Sequence, residues 1–407
     1  ADGSERPKRY FVLHFRLLRF LGLGWWHNPD EGNTENFPGW YLYYSIATQV
    51  IWVAGFVGLE TIDPFVGKKD LDRFMFSLSF VITHNLTLIK LCIFYFRNAE
   101  IQAIARTLEI EMYDYYQNEA KNRATVRFSK IMTGSFLFFG WMTIGNTNVY
   151  GTIQDIKWKK IVANLNDTAV RPFRTLPQPI YIPWDYQKDG SFIPTFVLET
   201  VGLLWTGHIV MSIDTFIASV ILHMSSQFET LHEALTTAYD RTMAALHIRI
   251  KFSLPTTVII FLNFIFSCVE VFSRTYSYGF MTQLLSSMAA ICVVMVQVSQ
   301  DASSFKSVKL VTSLAFFVAM IIQLAIQCFT GNELTLQAER ISDAVMQCKW
   351  ERIPPSQRRL LLMIMMRAQR PLRLTAAGFT HMDNACFLAI MKAAYSYYAV
   401  LSQKDEK

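Results

Sequence analysis

The sequence predicts an all-α membrane protein: seven transmembrane helices, a cytoplasmic N-terminus, an extracellular C-terminus, and cytoplasmic helix extensions forming an anchor region. Three observations carry this expectation. Of the 407 residues, 52% are hydrophobic, 14% aromatic and only 17% charged, a balance too apolar for an ordinary soluble domain. Apolar windows long enough to cross a hydrocarbon layer, which takes roughly 20 helical residues, recur along the chain. Lysine and arginine favour one set of connections, 22 against 14, and the richer side is cytoplasmic.

The first window covers 39–59 and the second 74–96. Lipid offers the backbone no hydrogen-bond partner, so each must be a helix. Residues 97–127 then alternate charges with Ile, Leu, Met and Tyr at helical spacing, which predicts a helix continuing the second span into the cytoplasm. The third window is 128–150. The connection 151–195 is assigned outside and contains the proline-dense "RPFRTLPQPIYIPWDYQKDG", which makes it stiff and non-helical. It is either a plain surface loop or a roof over a cavity in the outer half of the bundle, a place to bury Tyr181, Trp184 and Tyr186. Its "NDT" triplet makes Asn166 a glycosylation candidate, whereas "NLT" at Asn85 falls inside the second span.

The fourth window, 195–222, leads into another helical extension, with Phe228, Leu231 and Leu235 at three- and four-residue steps. The stretch 255–272 is apolar but carries Asn263 and Glu270. It reads as a partly buried membrane-proximal helix leading into the fifth span, 278–300, with an extra span as the alternative. The sixth window is 308–330. Beyond it, Ile341, Val345 and Met346 form one apolar stripe and Leu360 to Met366 another, with Pro354-Pro355 between them. Such stripes are covered by their own neighbours or by other subunits. The seventh window is 378–402. Residues 1–330 thus form one unit of six spans, and 331–407 a second of cytoplasmic helices and the last span.

Nothing in the chain carries catalysis. His84, His208 and His223 lie in or beside spans without a metal-binding spacing, and no glycine-rich phosphate loop is present. The expectation is a non-enzyme with no cofactor and no metal. The net charge of +6 follows membrane topology and gives no support to nucleic-acid binding. All six cysteines fall in apolar or cytoplasmic segments, which disfavours a disulfide framework, and no cleaved signal peptide is expected. A seven-span protein invites comparison with G-protein-coupled receptors, but the orientation is reversed and their "DRY" and "NPxxY" patterns are absent.

Ionisable residues within spans are costly, so Lys90, Glu199, Asp214, Asp383 and Lys392 each require a reason. Lys90, near the end of its span, reads as snorkelling to the cytoplasmic interface. Lys392 is mid-span and should face protein or water. The second and third spans are rich in aromatics, among them Phe80, Phe136, Phe138 and Trp141. Core packing accounts for most of these. Thr83, His84, Thr143, Asn146, Asn148, Thr206 and His208 add isolated polar groups at similar depth, and sparse polarity in an aromatic cavity suits a small apolar ligand.

The chain ends in an apolar, aromatic stretch that meets a lone amide and a charged tail, "MKAAYSYYAVLSQKDEK". This stretch, "FLAIMKAAYSYYAVLSQ", and the earlier "CFTGNELTLQAERISDAVMQCKW" resemble the two best-marked segments of insect odorant receptors. With the seven inverted spans, the resemblance covers nearly the whole chain, the N-terminal half by pattern more than by residues. It implies an odorant-gated, non-selective cation channel of four subunits, joined through cytoplasmic helices, with the seventh span of each lining one pore. The family's hydrophobic gate and glutamine ring map onto Val400, Leu401 and Gln403. Physically, Val400 and Leu401 would close a narrow pore by excluding water, and a Gln403 ring would offer neutral dipoles to hydrated sodium, potassium or calcium.

The resemblance also implies a pocket in the outer half of the bundle, at the depth of Phe80, His84, Phe138, Trp141, His208 and Phe317. The short connection between spans four and five resembles that of a ligand-tuned subunit that assembles with the odorant co-receptor. The implied setting is the plasma membrane of a sensory-neuron dendrite. The rival readings are a homomeric channel of the gustatory-receptor type, whose ending usually pairs the glutamine with phenylalanine where Lys404 stands here, and a transporter. No repeat between halves and no pair of Gly/Pro-broken spans supports the latter.

Overall fold

In the computed structural model, a long helix, α7 (Asp189–Thr236), occupies the centre of the fold. Every residue from Met211 to Ile221 is buried. A helix turns once per 3.6 residues, so three turns of unbroken burial mean that neighbours enclose it on all sides. The structure describes residues 10–24, 39–66, 71–109, 112, 118–165, 171–237, 254–301, 308–353 and 355–405.

The other elements, in chain order, are α1 (Val12–Phe20), α2 (Gly39–Thr48), a π-helical turn (Gln49–Gly55), α3 (Phe56–Val66), α4 (Leu71–Phe96), α5 (Asn98–Glu109) and α6 (Glu119–Ala163). After α7 come α8 (Leu254–Asp301), α9 (Val308–Gln347), α10 (Pro355–Ala368), a hairpin of β1 (Thr375–Ala376) and β2 (Thr380–His381), and α11 (Asn384–Asp405). Helices α1, α4, α6, α8 and α9 all pack on α7, and α8 also packs on α4, α9 and α11.

Five stretches are long and apolar enough to cross a membrane among the described residues: Gly39–Val66, Arg73–Phe96, Asp189–Thr236, Val258–Ser299 and Lys309–Gln347. They match the expected spans one, two, four, five and six. The expected third and seventh spans fall on α6 and α11. Those helices carry more polar groups, Thr143, Asn146 and Asn148 in one and Lys392 with several tyrosines in the other. Span seven starts later than expected, because residues 378–383 belong to the hairpin and the turn after it. Asp383 caps α11 by accepting a hydrogen bond from the Cys386 backbone N–H (2.8 Å).

The outer connection is shorter than the sequence implies. Helix α6 runs on to Ala163, supported by an Asp155–Lys159 pair one turn apart (3.0 Å), and α7 starts at Asp189. The stretch 255–272 and the fifth span form the single helix α8, because nothing in "SRTYSY" breaks helical geometry. In the expected cytoplasmic region, Ile341, Val345, Leu361 and Ile364 are buried in the main core. Met346, Leu362, Met363 and Met366 are exposed, so each stripe is only partly covered by this chain. None of the six cysteines forms a disulfide.

Candidate ligand-binding site

Four helices, α4, α6, α7 and α9, line a cavity whose empty space, including its open mouth, is about 660 Å³. Each helix supplies one stripe at three- and four-residue steps: Phe80, Thr83 and His84 from α4; Phe136, Gly140, Thr143 and Thr147 from α6; Leu203, Gly207, Val210 and Met211 from α7; Phe316, Ala319, Met320 and Gln323 from α9. Phe80 stacks on Phe316 across the space, with ring centroids 5.3 Å apart. Gly140 is needed for close approach, since a Cβ there would lie 2.2 Å from the Met211 sulfur.

The polar groups of the wall are mostly satisfied within the protein. Thr83, Thr143 and Thr147 each donate to a carbonyl of their own helix, at 2.9–3.0 Å. Gln323 Nε2 donates to Asp214 Oδ2 (2.6 Å) and Gln327 Nε2 to Asp214 Oδ1 (3.0 Å). Lys90 completes that node by an ion pair with Asp214, both side chains buried. Lys90 therefore does not snorkel to the interface. The low dielectric around it makes a charged partner far more favourable than a bare ammonium.

On the other side, His84 Nδ1 lies 2.6 Å from Glu60 Oε2. Gln178 Nε2 donates to Glu60 Oε1 (2.7 Å), and the Gln178 backbone N–H donates to Glu199 Oε1 (2.6 Å). Gln178 belongs to residues 171–188, which fold over this end of the bundle. Ile180 of that segment packs with Phe56, Phe76, Phe80, Ile144 and Leu203, three of which also line the cavity. Arg174, fully buried, holds the segment down: its Nε donates to Asp155 (2.6 Å) and its Nη1 to Asp189 (2.7 Å). Its guanidinium lies 3.6 Å from the centroid of the Phe192 ring and 4.6 Å from that of Trp158. The segment thus packs against cavity-wall residues, and none of its own residues lines the cavity. Within it Tyr186 is buried, whereas Trp184, expected to be buried, is 45% exposed with its Nε1 donating to Thr195 (2.9 Å).

The family model for the 7tm odorant receptors matches residues 70–395. The chain belongs to the odorant receptor family. Odorant receptor Or1 of Anopheles gambiae is 22% identical over 430 residues, covering 100% of this chain and 98% of that protein. Odorant receptor 19a of Drosophila melanogaster is 22% identical, covering 97% and 96%. Among solved structures, the olfactory receptor OR5 of the insect Machilis hrabei superposes with a TM-score of 0.80 at 13% identity, covering 96% of this receptor and 97% of OR5. Its complex with eugenol superposes with a TM-score of 0.76 at 14% identity, covering 97% of each chain. The chain is thus a multi-pass membrane receptor rather than an enzyme.

In this odorant receptor, Phe80 and His84 stand on the cavity wall, while Phe138, Trp141, His208 and Phe317 stand off it. The reason is helical phase. One residue turns a helix by about 100°, so Phe317 and His208 point away from the stripes through Phe316 and Gly207. Trp141, 55% exposed, donates to His208 Nε2 (2.7 Å) outside the cavity, and Phe138 is exposed. Phe136, Met211, Phe316, Met320 and Gln323 carry the wall instead; the three- and four-residue spacing of Phe136, Gly140, Thr143 and Thr147 was the available signal. Of the terminal residues, Val400 is 60% exposed on α11. It continues an uncovered stripe through Leu388, Lys392 and Ser396 at four-residue steps. Leu401 and Gln403 lie on the last turns of α11, and Asn166 lies outside the described residues.

Proposed function

We propose that this receptor is the ligand-tuned subunit of an odorant-gated, non-selective cation channel, binding a small apolar or aromatic volatile in the cavity between α4, α6, α7 and α9. The observation that carries the reading is the cavity itself: apolar, and lined by threonines whose hydroxyls are already engaged. Such a wall selects by shape and dispersion more than by hydrogen bonding. The likeness in fold to a receptor solved with eugenol supports it.

The pore reading rests on α11. Its stripe of Leu388, Lys392, Ser396 and Val400 faces away from the rest of the chain, and the uncovered Met346, Leu362, Met363 and Met366 add apolar surface on the anchor side. Both surfaces fit a tetramer completed by the odorant co-receptor, with Val400, Leu401 and Gln403 at the constriction and the plasma membrane of a sensory dendrite as its setting.

The test is whole-cell recording from cells expressing this chain with and without the co-receptor, across a volatile panel that includes eugenol. Ligand-evoked cation current only with the co-receptor is the expected result. Current from this chain alone would instead favour a homomeric channel, and uptake without current a transporter.

A further inference from the structure

Lys90 and Lys392 both stand within spans, and the fold treats them oppositely. Lys90 is fully buried and paired with Asp214. The Lys392 side chain is exposed on α11, and its ammonium has neither a hydrogen bond nor an ion pair among the described residues. Its own helix offers no partner either, since α11 contains no acid between Asn384 and Lys404.

Helical phase says which way this ammonium faces. The side of α11 turned to the rest of the chain carries Cys386 and Ala394, both buried, with Phe387, Ile390, Met391 and Tyr398 packed on the core. At about 100° per residue, Lys392 lies about 200° around the helix from both Ile390 and Ala394. It shares its ridge with Leu388, 56% exposed, and Val400, 60% exposed. Ser396, also on that ridge, donates its hydroxyl hydrogen to the Lys392 backbone carbonyl (2.9 Å). A bare ammonium within a span is costly against lipid and is tolerated where it faces water.

We infer that Lys392 places a fixed positive charge in the conduction path, about 12 Å along α11 from Val400, and that this charge limits outward cation current. The inference rests on the pore reading of α11. In the orientation that the basic-residue bias favours, Lys392 stands on the cytoplasmic side of the proposed gate. A positive charge there lowers the local concentration of cations entering from the cytoplasm, and calcium, with twice the charge of sodium, is held back more. Screening sets the reach of the effect. The Debye length is about 8 Å at 0.15 M salt and about 30 Å at 0.01 M, so the limit on outward current deepens as salt is diluted.

The experiment records single-channel currents at both polarities, with the co-receptor present, in symmetrical solutions of about 0.15 M and 0.01 M salt. The parent is compared with Lys392→Met, which keeps the stem and removes the charge, Lys392→Glu, which reverses it, and Lys392→Arg, which keeps it. In a second arm, Lys392→Cys and Val400→Cys are exposed to a charged methanethiosulfonate while the channel is open. At low salt Lys392→Met should raise outward unitary current about twofold or more, and Lys392→Glu should raise it further. Lys392→Arg should keep the parent's rectification, and the differences should shrink at high salt. Both cysteines should be modified. If Met, Glu and Arg give the same outward current at low salt while Val400→Cys is modified, α11 lines the pore and the inference about Lys392 is wrong. If Val400→Cys is modified and Lys392→Cys is not, Lys392 faces lipid or a neighbouring subunit, and the inference fails in the same way. Loss of Lys392→Met from the cell surface with Lys392→Arg retained would place an acid of a neighbouring subunit against Lys392 and also overturn it. If neither cysteine is modified, α11 does not line the pore, and the pore reading fails with the inference.

Discussion

Lys90 on α4 and Asp214 on α7, 124 residues apart in sequence, form an ion pair that solvent does not reach, with side-chain exposures of 0% and 1%. Asp214 also receives Gln323 and Gln327 from α9, so one carboxylate ties three helices together directly below the cavity.

Breaking that pair from one side strands a charge. Asp214→Leu is expected to cost on the order of 3 to 5 kcal/mol and to remove most receptor from the cell surface. Lys90→Met combined with Asp214→Leu should restore much of the loss, because two apolar groups replace two charges. Surface biotinylation of the three variants checks this; equal surface levels for all would show that the pair is dispensable.

The segment 171–188 is anchored by Arg174. Arg174→Ala removes its hydrogen bonds to Asp155 and Asp189 and its stacking on Phe192, which should lower stability by about 2 kcal/mol. Arg174→Lys should rescue little, since an ammonium cannot reproduce a planar guanidinium lying on an aromatic ring. Thermal unfolding of the detergent-solubilised receptor, followed by fluorescence size exclusion, reads both effects.

Gly140→Ala tests the cavity from another wall. The added methyl must displace Met211, and a thioether moves more readily than a branched side chain. The space narrows, so potency should fall for bulky agonists and hold for small ones. A uniform shift across ligand sizes would point to a change in gating or expression instead.

At the proposed constriction, Val400→Ala should raise current without ligand by weakening the hydrophobic closure. Gln403→Glu should change calcium permeation without moving ligand potency, because each added carboxylate acts at short range in a low dielectric. Reversal potentials in sodium and calcium, together with ligand-free leak, decide the matter. If neither variant alters them at equal surface expression, these positions do not line the pore.

Orientation is tested by epitope tags. The bias of 22 basic residues against 14 favours an outside C-terminus; in that orientation a C-terminal tag should bind antibody on intact cells and an N-terminal tag only after permeabilisation.

The sequence made the spans legible because burial in lipid demands long apolar runs, and a run is a local property. It made the helical phase of the binding wall much less legible. Phe316 and Phe317 are equally apolar neighbours, and only the position of α4 across the space decides which one faces Phe80. Partnerships such as His84 with Glu60, or Gln178 with Glu60 at 118 residues' separation, are set by tertiary packing and have no local pattern. The extra turns of α6 were within reach, since Asp155 and Lys159 stand at the spacing that stabilises an exposed helix.

The unbroken course of α8 bears on how motion is transmitted. At about 1.5 Å per residue its length is about 72 Å, more than twice the thickness of the hydrocarbon layer. A rod of that length pivoting by about 5° around its midpoint carries each end about 3 Å in opposite directions. Because α11 lies against α8, a tilt imposed at the level of α4 and α9 would reach the terminal helix as a lever stroke, without any rearrangement of the residues in between.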